Sequence, residues 1–491
     1  MLPPRETFTL PAVGDAPVRL FQNHPRRLRI IVGAVAFVLL AAAPLSAATF
    51  RVNSTADSFD GACGPASGEC TLREAIVAAV ETAGRDTIRF AADVFVAGSE
   101  SVRIDLASEL PIVADPAGTV IDGAGASVRI YGGDTIPHGL VFTSAPDVAL
   151  GKVTVANLAV EGFGGHGIHV CGGAPPECGA DVTGALLRNV VVVNCDGTGI
   201  RVEGRVNKKP RVVDSVTFGT GNDGIRLSGS RSMIGARVEG STATRCGGSA
   251  IALRAEQQTG SAVVDSFGLR CVEDGVLVSD DGATIKPTIA NVVALGNRNG
   301  IAMSNAKLVA PTITSAVATD NEVGVKLLVG ESTAAAITKV VADANIIHGI
   351  NVEGGSGVTI SRSRVVANGY SGVATETSVD LDVVDVIAMG NLTGVSLGSS
   401  SGVVTRVNAA NNRGHGIGVE MPGGNTVIGN LTLANGIYSA GVGIVQGSGG
   451  NVVRENVALG HTFDLYEDNV DCGTNLWTAN VFTEGTLPCI R

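Results

Sequence analysis

A four-residue pattern, Gly-(Ile/Val)-x-(Val/Leu/Met), recurs along most of this chain and limits the folds that the chain can adopt. Clear copies begin at residues 167, 199, 224, 275, 300, 324, 349, 394 and 416, and degenerate copies begin at 250, 372 and 443. Successive copies between 199 and 443 are 22 to 27 residues apart. Such a period indicates one architecture that grows by stacking, rather than several unrelated domains.

Each copy reads as a turn followed by a short strand, because two aliphatic residues alternate with one residue of the opposite face. Further strand-like runs lie between the copies, for example at 188–194 and 291–295. Leucine-rich repeats have a similar period but need Leu at fixed positions, where these coils carry Val and Ile. Aromatic residues are 4% of the chain, which suits a thin aliphatic core. The pattern predicts an all-β fold, a parallel β-helix with coils of 22–27 residues.

A column of Asn residues precedes the repeat Gly by three or four positions. It comprises Asn297, Asn321, Asn345, Asn368, Asn391 and Asn412. Stacked inward Asn side chains can hydrogen-bond along the stack and to turn backbone. Towards the N-terminus the column continues as Cys271, Cys246, Thr220 and Cys195. We expect these three cysteines to be small buried thiols, because in-register strands give poor geometry for a Cys246–Cys271 disulfide.

The segments before and after the repeat differ from it, and they predict the domain organisation. Residues 1–48 read as a signal peptide, 49–100 as an N-terminal cap with a helix at 71–84, 101–460 as the β-helix and 461–491 as a C-terminal cap. The helix is indicated by the capping-box spacing of Thr71 and Glu74. The C-terminal cap contains Trp477, the single Trp of the chain.

Residues 24–48 have the features of a secretory signal. A basic stretch precedes 14 apolar residues at 30–43, and small residues at 46 and 48 suit cleavage after Ala48. The apolar run is shorter than the roughly 20 residues of a membrane span. We therefore expect a secreted, extracellular, cell-surface or periplasmic protein that has no membrane association after cleavage.

The cysteine spacing predicts disulfides, and the net charge limits the kinds of binding partner. In an oxidising compartment, three close pairs predict disulfides: Cys63 with Cys70, Cys171 with Cys178, and Cys472 with Cys489. The formal net charge is −11, and residues 1–48 contribute five Arg against two acidic residues, so the exported part is more acidic still. That balance disfavours nucleic acid as a partner. We expect a monomer.

The stretch "VNSTADSFDGACGPASGECTLREAI" at 52–76 resembles the N-terminal signature of bacterial CSLREA-type proteins, with Thr71 where the name has Ser. The ending "DCGTNLWTANVFTEGTLPCI" is similar to the closing segment of such chains. The resemblance covers both ends and implies export and the right-handed parallel β-helix of the pectate-lyase-like superfamily. It does not imply a reaction.

Two near-identical hexapeptides, "GHGIHV" at 165–170 and "GHGIGV" at 414–419, carry a Gly-His-Gly that invites a catalytic interpretation. The His precedes the repeat Gly, at a position that is polar and variable in the other coils. We therefore expect a solvated turn. Polygalacturonases of this fold also carry Gly-His-Gly, but the order of the Asp pair and the missing Arg-x-Lys do not match here.

One face of the early coils gathers residues with possible chemistry. Two residues after the repeat Gly stand His169, Arg201 and Arg226 on successive coils, and like charges so close need an anion or carboxylates. The candidate catalytic residues are Arg201, Arg226, His166, His169, Asp223 and Asp274. The candidate substrate-binding residues are Arg201, Arg226, Glu203 and Arg254, and Asp223, Asp274, Asp280 and Asp281 are candidate ligands for Ca²⁺. The coils at 297–445 look emptier and read as a spacer.

These observations predict a protein that binds, and possibly processes, an acidic polysaccharide through the early-coil face. Stacked guanidinium groups can bind a uronate carboxylate, and an Arg or His could then remove the adjacent proton. An enzyme of this kind would be a polysaccharide lyase or glycoside hydrolase. The alternatives are a surface ion-pair ladder without function and a non-catalytic adhesin or structural rod.

Overall fold

The computed structural model describes residues 47–490, except 62, 64–68, 99–100, 421–422, 437–438 and 446. The side chains of 280, 281, 332, 333 and 400 are also outside the description. The predicted signal peptide therefore lies outside the described residues apart from its last two positions.

The strands of successive coils stack into three parallel sheets. The first, here called the site sheet, has 15 strands: β6 (Leu140–Phe142), β8 (Ile168–Cys171), β9 (Val182–Thr183), β11 (Ile200–Lys208), β14 (Ile225–Ile234), β17 (Ile251–Thr259), β20 (Asp274–Ile285), β23 (Asn299–Val309), β26 (Val323–Thr333), β28 (Ile350–Glu353), β31 (Ser371–Val379), β34 (Thr393–Ser400), β37 (Ile417–Val419), β40 (Ala440–Ile444) and β43 (Phe463–Glu467).

The other two sheets contain shorter strands and close the coils. One has 24 strands: β1 (Thr49–Val52), β2 (Thr87–Phe90), β3 (Val102–Asp105), β4 (Val120–Asp122), β5 (Val128–Tyr131), β7 (Thr154–Phe163), β10 (Leu186–Cys195), β12 (Arg211–Val213), β13 (Val216–Thr220), β15 (Arg237–Glu239), β16 (Thr242–Thr244), β18 (Ala262–Val264), β19 (Phe267–Leu269), β21 (Thr288–Ala290), β22 (Val293–Leu295), β24 (Thr312–Thr314), β25 (Val317–Thr319), β27 (Ala336–Thr338), β29 (Thr359–Ser361), β32 (Asp382–Val384), β35 (Val403–Thr405), β38 (Thr426–Ile428), β41 (Val452–Arg454) and β44 (Leu476–Thr478). The third has five strands: β30 (Arg364–Val366), β33 (Ile387–Met389), β36 (Asn408–Ala410), β39 (Leu431–Leu433) and β42 (Val457–Leu459).

The architecture is the parallel β-helix that the repeat predicts. One coil consists of β11, β12 and β13, and the next coil places β14 in register on β11 with Ile225 opposite Ile200. The repeat aliphatic residues point inward and are fully buried on successive coils: Ile200, Ile225, Ile251, Val276, Ile301 and Val325. This column forms a thin core, which explains why few aromatic residues are needed.

The predicted Asn column forms a hydrogen-bonded ladder inside the stack. The Asn345 amide nitrogen donates to the Ala318 carbonyl at 3.1 Å and to Asn368 Oδ1 at 2.9 Å, and Asn345 Oδ1 accepts the Asn321 backbone N–H at 3.1 Å. The ladder continues beyond the prediction through Asn435. Two further short ladders, through Asn425, Asn451 and Asn475 and through Asn430, Asn456 and Asn480, were not predicted.

The three predicted disulfides are present, with Cα–Cα distances of 4.7 Å for Cys63–Cys70, 5.1 Å for Cys171–Cys178 and 6.2 Å for Cys472–Cys489. The expectation of free thiols at Cys246 and Cys271 is wrong, because these residues form a fourth disulfide. Their Cα atoms lie 4.5 Å apart on adjacent coils, which is inside the range that a disulfide spans. Cys195 remains a buried free thiol, and burial raises its pKa to about 11.

The predicted N-terminal helix forms at α1 (Leu72–Glu81). Thr71 is its N-cap and exchanges reciprocal hydrogen bonds with Glu74, so the capping box is confirmed. The helix is shorter than the predicted 71–84 and ends at Glu81, because Thr82 is extended with φ −89° and ψ 136°. A short 3₁₀ turn covers Val470–Cys472 in the C-terminal segment. None of the described helices is long and apolar enough to cross a membrane.

Candidate functional site

The site sheet brings the predicted column together in the expected register. His169 on β8 lies beside Arg201 on β11, which lies beside Arg226 on β14. Two residues further along each strand, Cys171 lies beside Glu203, and Ser228 lies beside Arg254 on β17. The in-register stacking of the repeats therefore concentrates three guanidinium groups on neighbouring coils.

Arg201 makes one short ion pair with a neighbouring carboxylate, although its Nε, like those of Arg226 and Arg254, is buried without a hydrogen-bond partner. Its Nη2 donates to Glu203 Oε2 at 2.7 Å, and its Nη1 lies 3.0 Å from His166 Nε2. The other oxygen of Glu203 lies 2.7 Å from His169 Nε2. Burial opposes ionisation of Glu203, but the hydrogen bonds from His169 and Arg201 outweigh it and lower the carboxyl pKa. His169, predicted to point outward, is only 5% exposed beside this carboxylate.

Arg226 and Arg254 are held much more loosely. Arg226 Nη1 lies 3.9 Å from Asp223 Oδ2, and Arg254 Nη2 lies 3.8 Å from Glu273 Oε2. The Nε atoms of both residues are buried without a hydrogen-bond partner. Burial lowers the pKa of Arg226, and the charges of Arg201 and Arg254 lower it further against the opposing effect of Asp223. Both guanidinium groups thus have unused donor capacity.

The His of the Gly-His-Gly motif has a structural function. His166 Nδ1 accepts the backbone N–H of Thr198 on the next coil at 3.0 Å, and His415 Nδ1 accepts that of Ala440 at 3.1 Å. His348 faces the backbone N–H of Ser371 in the same way, at 3.3 Å. These His residues are half-buried, because each accepts a backbone N–H from the next coil, so the expectation of a solvated turn holds only in part.

The surroundings of His166 keep its imidazole ring in the neutral form. Burial lowers its pKa to about 3, and the nearby charges of His169 and Arg201 act in the same direction. His138, which the sequence analysis missed because it lies before the first clear repeat, stacks on His166 with ring centroids 5.3 Å apart. Its Nδ1 accepts the His166 backbone N–H at 3.0 Å. His138 would have been found by extending the column one coil further.

The candidate calcium ligands do not converge in the described part of the chain. Asp223 accepts the Ser249 backbone N–H at 2.9 Å, whereas Asp274 accepts from Asn299 Nδ2 at 2.7 Å. These two carboxylates are two coils apart, or about 10 Å at the spacing of neighbouring strands, which is too far to share one ion. Burial raises the pKa of Asp274. The side chains of Asp280 and Asp281 lie outside the description, so their role stays a prediction.

Two adjoining clefts run along the outer surface of the site sheet. The first has a volume of about 460 Å³ and is lined by Glu203, Arg226, Ser228 and Arg254, with Glu177 and Glu256 among the other residues at its wall. The second, of about 650 Å³, shares Arg254 with the first and extends to Glu376. The groove therefore continues into coils that the sequence analysis interpreted as a spacer.

Comparison with known proteins places the chain among β-helix proteins. The family model described as the right-handed beta helix region matches residues 151–339, and the model described as the periplasmic copper-binding protein NosD matches residues 276–487. Among the described side chains of 276–487, no group of three or more His, Cys, Asp or Glu residues converges to hold a metal. No curated protein matches significantly.

Solved structures that are similar to this chain share little sequence with it and superpose on it only in part. The A-module of mannuronan C-5 epimerase AlgE4 from Azotobacter vinelandii is 14% identical, covers 84% of this chain and 95% of its own, and has a TM-score of 0.36. Tailspike protein 3 of bacteriophage CBA120 is 12% identical over 87% of this chain and 61% of its own, with a TM-score of 0.41. The periplasmic alginate epimerase AlgG is 12% identical over 82% and 84%, with a TM-score of 0.31. The stacked parallel coils and the family match together establish that this chain is a right-handed parallel β-helix protein.

Proposed function

We propose that the groove on the site sheet binds an acidic polysaccharide, with Arg226 and Arg254 as the anchors for its carboxylates. The observation that carries this proposal is the unused donor capacity of these two side chains, which are partly buried, with 31% and 35% of their surface exposed. A partly desolvated guanidinium without a close acceptor costs free energy, and a carboxylate matches its planar donor geometry. An incoming uronate would supply both the acceptor and the charge.

Arg201 differs from these anchors because Glu203 Oε2 already accepts from its Nη2 at 2.7 Å, whereas the carboxylates nearest to Arg226 and Arg254 are 3.9 and 3.8 Å away. We therefore assign Arg201 and Glu203 as positioning residues that shape the wall of the cleft, with His166 and His169 behind them. Asp223 accepts a hydrogen bond from a backbone N–H, and Asp274 accepts one from an Asn side chain. Each of these carboxylates also lies within 4 Å of an Arg side chain. Their roles in substrate binding or catalysis are part of the same proposal.

The shape of the groove favours a polymer over a single sugar. Its walls extend from Glu203 to Glu376, across eight consecutive strands of the site sheet. Seven inter-strand steps correspond to about 34 Å along the helix axis. Glu177 and Glu256 at the wall add negative charge. We therefore expect binding to depend on a few matched carboxylates and to weaken as salt screens them.

The test is a binding titration of the purified protein with a uronate oligosaccharide and with a neutral oligosaccharide of equal length. We expect Arg226→Ala and Arg254→Ala each to weaken uronate binding by about 10-fold or more, since each removes a partly buried charged donor. Arg406→Ala is the matched control, because Arg406 pairs with Asp385 at an exposed position away from the cleft. Equal affinity for both oligosaccharides, or no effect of either cleft substitution, would refute the proposal.

A second candidate function is lyase-type processing of the bound uronate. The lowered pKa of Arg226 favours it, because an arginine with reduced proton affinity could take the proton adjacent to the carboxylate. The electron pair would then form the C4–C5 double bond and expel the 4-linked sugar oxygen. Assays with Ca²⁺ and with chelator should follow unsaturated products and new reducing ends separately. Unsaturated products that persist in Arg226→Ala would eliminate Arg226 as the base.

The remaining outcomes separate the other candidates. Reducing ends alone would indicate hydrolysis and direct attention to the Asp and Glu residues. Binding without turnover would make the protein a glycan-binding rod, and neither binding nor turnover would favour a structural adhesin. The four disulfides support our inference that the protein functions in an oxidising, non-cytoplasmic compartment.

A further inference from the structure

A cluster of metal-ligating side chains lies at the wall of the first cleft, and the proposed function leaves its two cysteines unexplained. His169, Cys171, Cys178 and Glu203 each present one ligand atom, and these atoms all lie within 4.8 Å of one another. His169, Cys171 and Cys178 are at most 5% exposed, and Glu203 is 9% exposed. We infer that this cluster is a redox-gated zinc site, closed as the Cys171–Cys178 disulfide and open to Zn²⁺ when that disulfide is reduced.

The fold delivers these ligands on rigid elements. His169 and Cys171 are two residues apart on β8, and Glu203 lies opposite Cys171 on the adjoining strand β11. Cys178 reaches the same point from the loop that follows β8, and its Sγ lies 3.1 Å from Glu203 Oε1 and 3.9 Å from His169 Nε2. Strands position ligands more precisely than loops do, so three of the four donors are preorganised.

The distances suit a small tetrahedral ion. Zinc bonds of about 2.0–2.3 Å to N, O and S place the ligand atoms of a tetrahedral site about 3.3–3.8 Å apart. The observed separations are 2.7 Å between His169 Nε2 and Glu203 Oε1, and 3.1 and 3.9 Å from Cys178 Sγ to these two atoms. Once the disulfide is reduced, the two sulfurs must move apart from bonding distance to about 3.8 Å, whereas these three separations need to change by less than about 0.7 Å. The mixed set of two thiolates, one imidazole and one carboxylate suits Zn²⁺.

Two further contacts support this assignment. Glu203 presents Oε1 to the cluster while Arg201 holds Oε2 at 2.7 Å, which is how an outer hydrogen bond orients a ligating carboxylate. A disulfide sulfur carries no proton, so the 3.1 Å contact between Cys178 Sγ and Glu203 Oε1 lacks a donor in the oxidised state. A thiol, or a metal ion between the two atoms, would satisfy it.

The chemistry balances with a thiol reductant as the electron source. Two reductant thiols reduce the Cys171–Cys178 bond by exchange, giving two protein thiols and one reductant disulfide. Zn²⁺ then binds both sulfurs as thiolates and displaces their two protons. Reoxidation by disulfide exchange would release the ion. The site would therefore be empty under oxidising conditions and would fill when a reductant is available.

The experiment is a Zn²⁺ titration of the purified full-length protein, oxidised and thiol-reduced, against a competing chromophoric chelator. We expect reduction to add one equivalent of tightly bound Zn²⁺. Cys171→Ser/Cys178→Ser should lose that equivalent, whereas Cys246→Ser/Cys271→Ser should keep it. The second pair is the matched control because it also forms a disulfide between buried sulfurs but belongs to a cluster with Ala243 and Ala250.

His169→Ala keeps both cysteines and the disulfide, so it tests Zn²⁺ coordination independently of the Cys171–Cys178 bond. We expect it to weaken Zn²⁺ binding by more than about 10-fold, and Co²⁺ in the reduced wild-type protein to show thiolate charge-transfer absorption. The inference is overturned if reduction adds no Zn²⁺ binding, if Cys171→Ser/Cys178→Ser binds as tightly as the wild type, or if His169→Ala leaves the affinity unchanged.

Discussion

The Asn ladder can be tested by removing a single rung. Asn345 is 2% exposed, and its side chain donates to Ala318 O and Asn368 Oδ1 and accepts from the backbone and side-chain nitrogens of Asn321. In Asn345→Ala, the carbonyl of Ala318 and the backbone N–H of Asn321 lose these partners inside the stack. Leaving a buried polar group unsatisfied costs about 1–3 kcal/mol. Two such groups lead us to expect a loss of about 2–5 kcal/mol in the free energy of unfolding.

The assay is guanidinium unfolding followed by far-ultraviolet circular dichroism, with the shift in midpoint compared between variants. Asn222→Ala is the control because Asn222 is exposed at a turn, and we expect its effect to stay within about 0.5 kcal/mol. An Asn345→Ala midpoint that coincides with that of Asn222→Ala would refute the view that the ladder stabilises the stack. Such a result would mean that water or a shifted backbone satisfies the orphaned groups.

Three other predictions concern buried titratable groups. Burial raises the pKa of Asp274, so the ionised form of this carboxyl destabilises the folded state. Asp274→Asn should therefore raise the unfolding midpoint at pH 7. This gain should vanish as the pH falls below about 4, where the carboxyl is protonated in both states. Burial opposes ionisation of Glu74, but the backbone amides of Thr71 and Asp60 donate to it and lower its pKa. Glu74→Ala should lower the free energy of unfolding by about 1 kcal/mol at neutral pH. Unfolding measured as a function of pH should show this loss fading below about pH 4. Burial raises the pKa of Cys195 to about 11, so mass spectrometry after alkylation at pH 8 should find it unlabelled in the native protein and labelled after unfolding. Labelling of native Cys195, a pH-independent gain in Asp274→Asn, or a Glu74→Ala cost that grows in acid would contradict the respective argument.

Several features of the fold were predictable because a repeat constrains each coil in the same way. The period predicted the parallel stack, and the alternation of inward and outward residues predicted that Arg201 and Arg226 lie side by side. The Asn column was predictable for the same reason, since its members recur three or four residues before the repeat Gly. The capping box predicted the start of α1 at Thr71, because that motif depends only on local spacing.

The arginines that the repeat correctly predicted on one face of the sheet differ in their hydrogen-bond and ion-pair partners. Sequence spacing could not distinguish Arg201, which donates to Glu203 at 2.7 Å, from Arg226, whose nearest carboxylate lies 3.9 Å away. It also could not show that the His of Gly-His-Gly accepts an amide from the next coil. These contacts depend on the direction of each side chain along the helix axis, which a two-residue alternation does not encode.

The sequence by itself determined the repeating coil, the inward aliphatic column and the three close disulfides, because each follows from local or strictly periodic spacing. Only the tertiary structure decided the Cys246–Cys271 bond, the groove along the site sheet and the cluster at His169, Cys171, Cys178 and Glu203. The physical reason is that these features join side chains from different coils or from a loop. Their meeting depends on the side-chain rotamers and on the path of the loop, which the period leaves open.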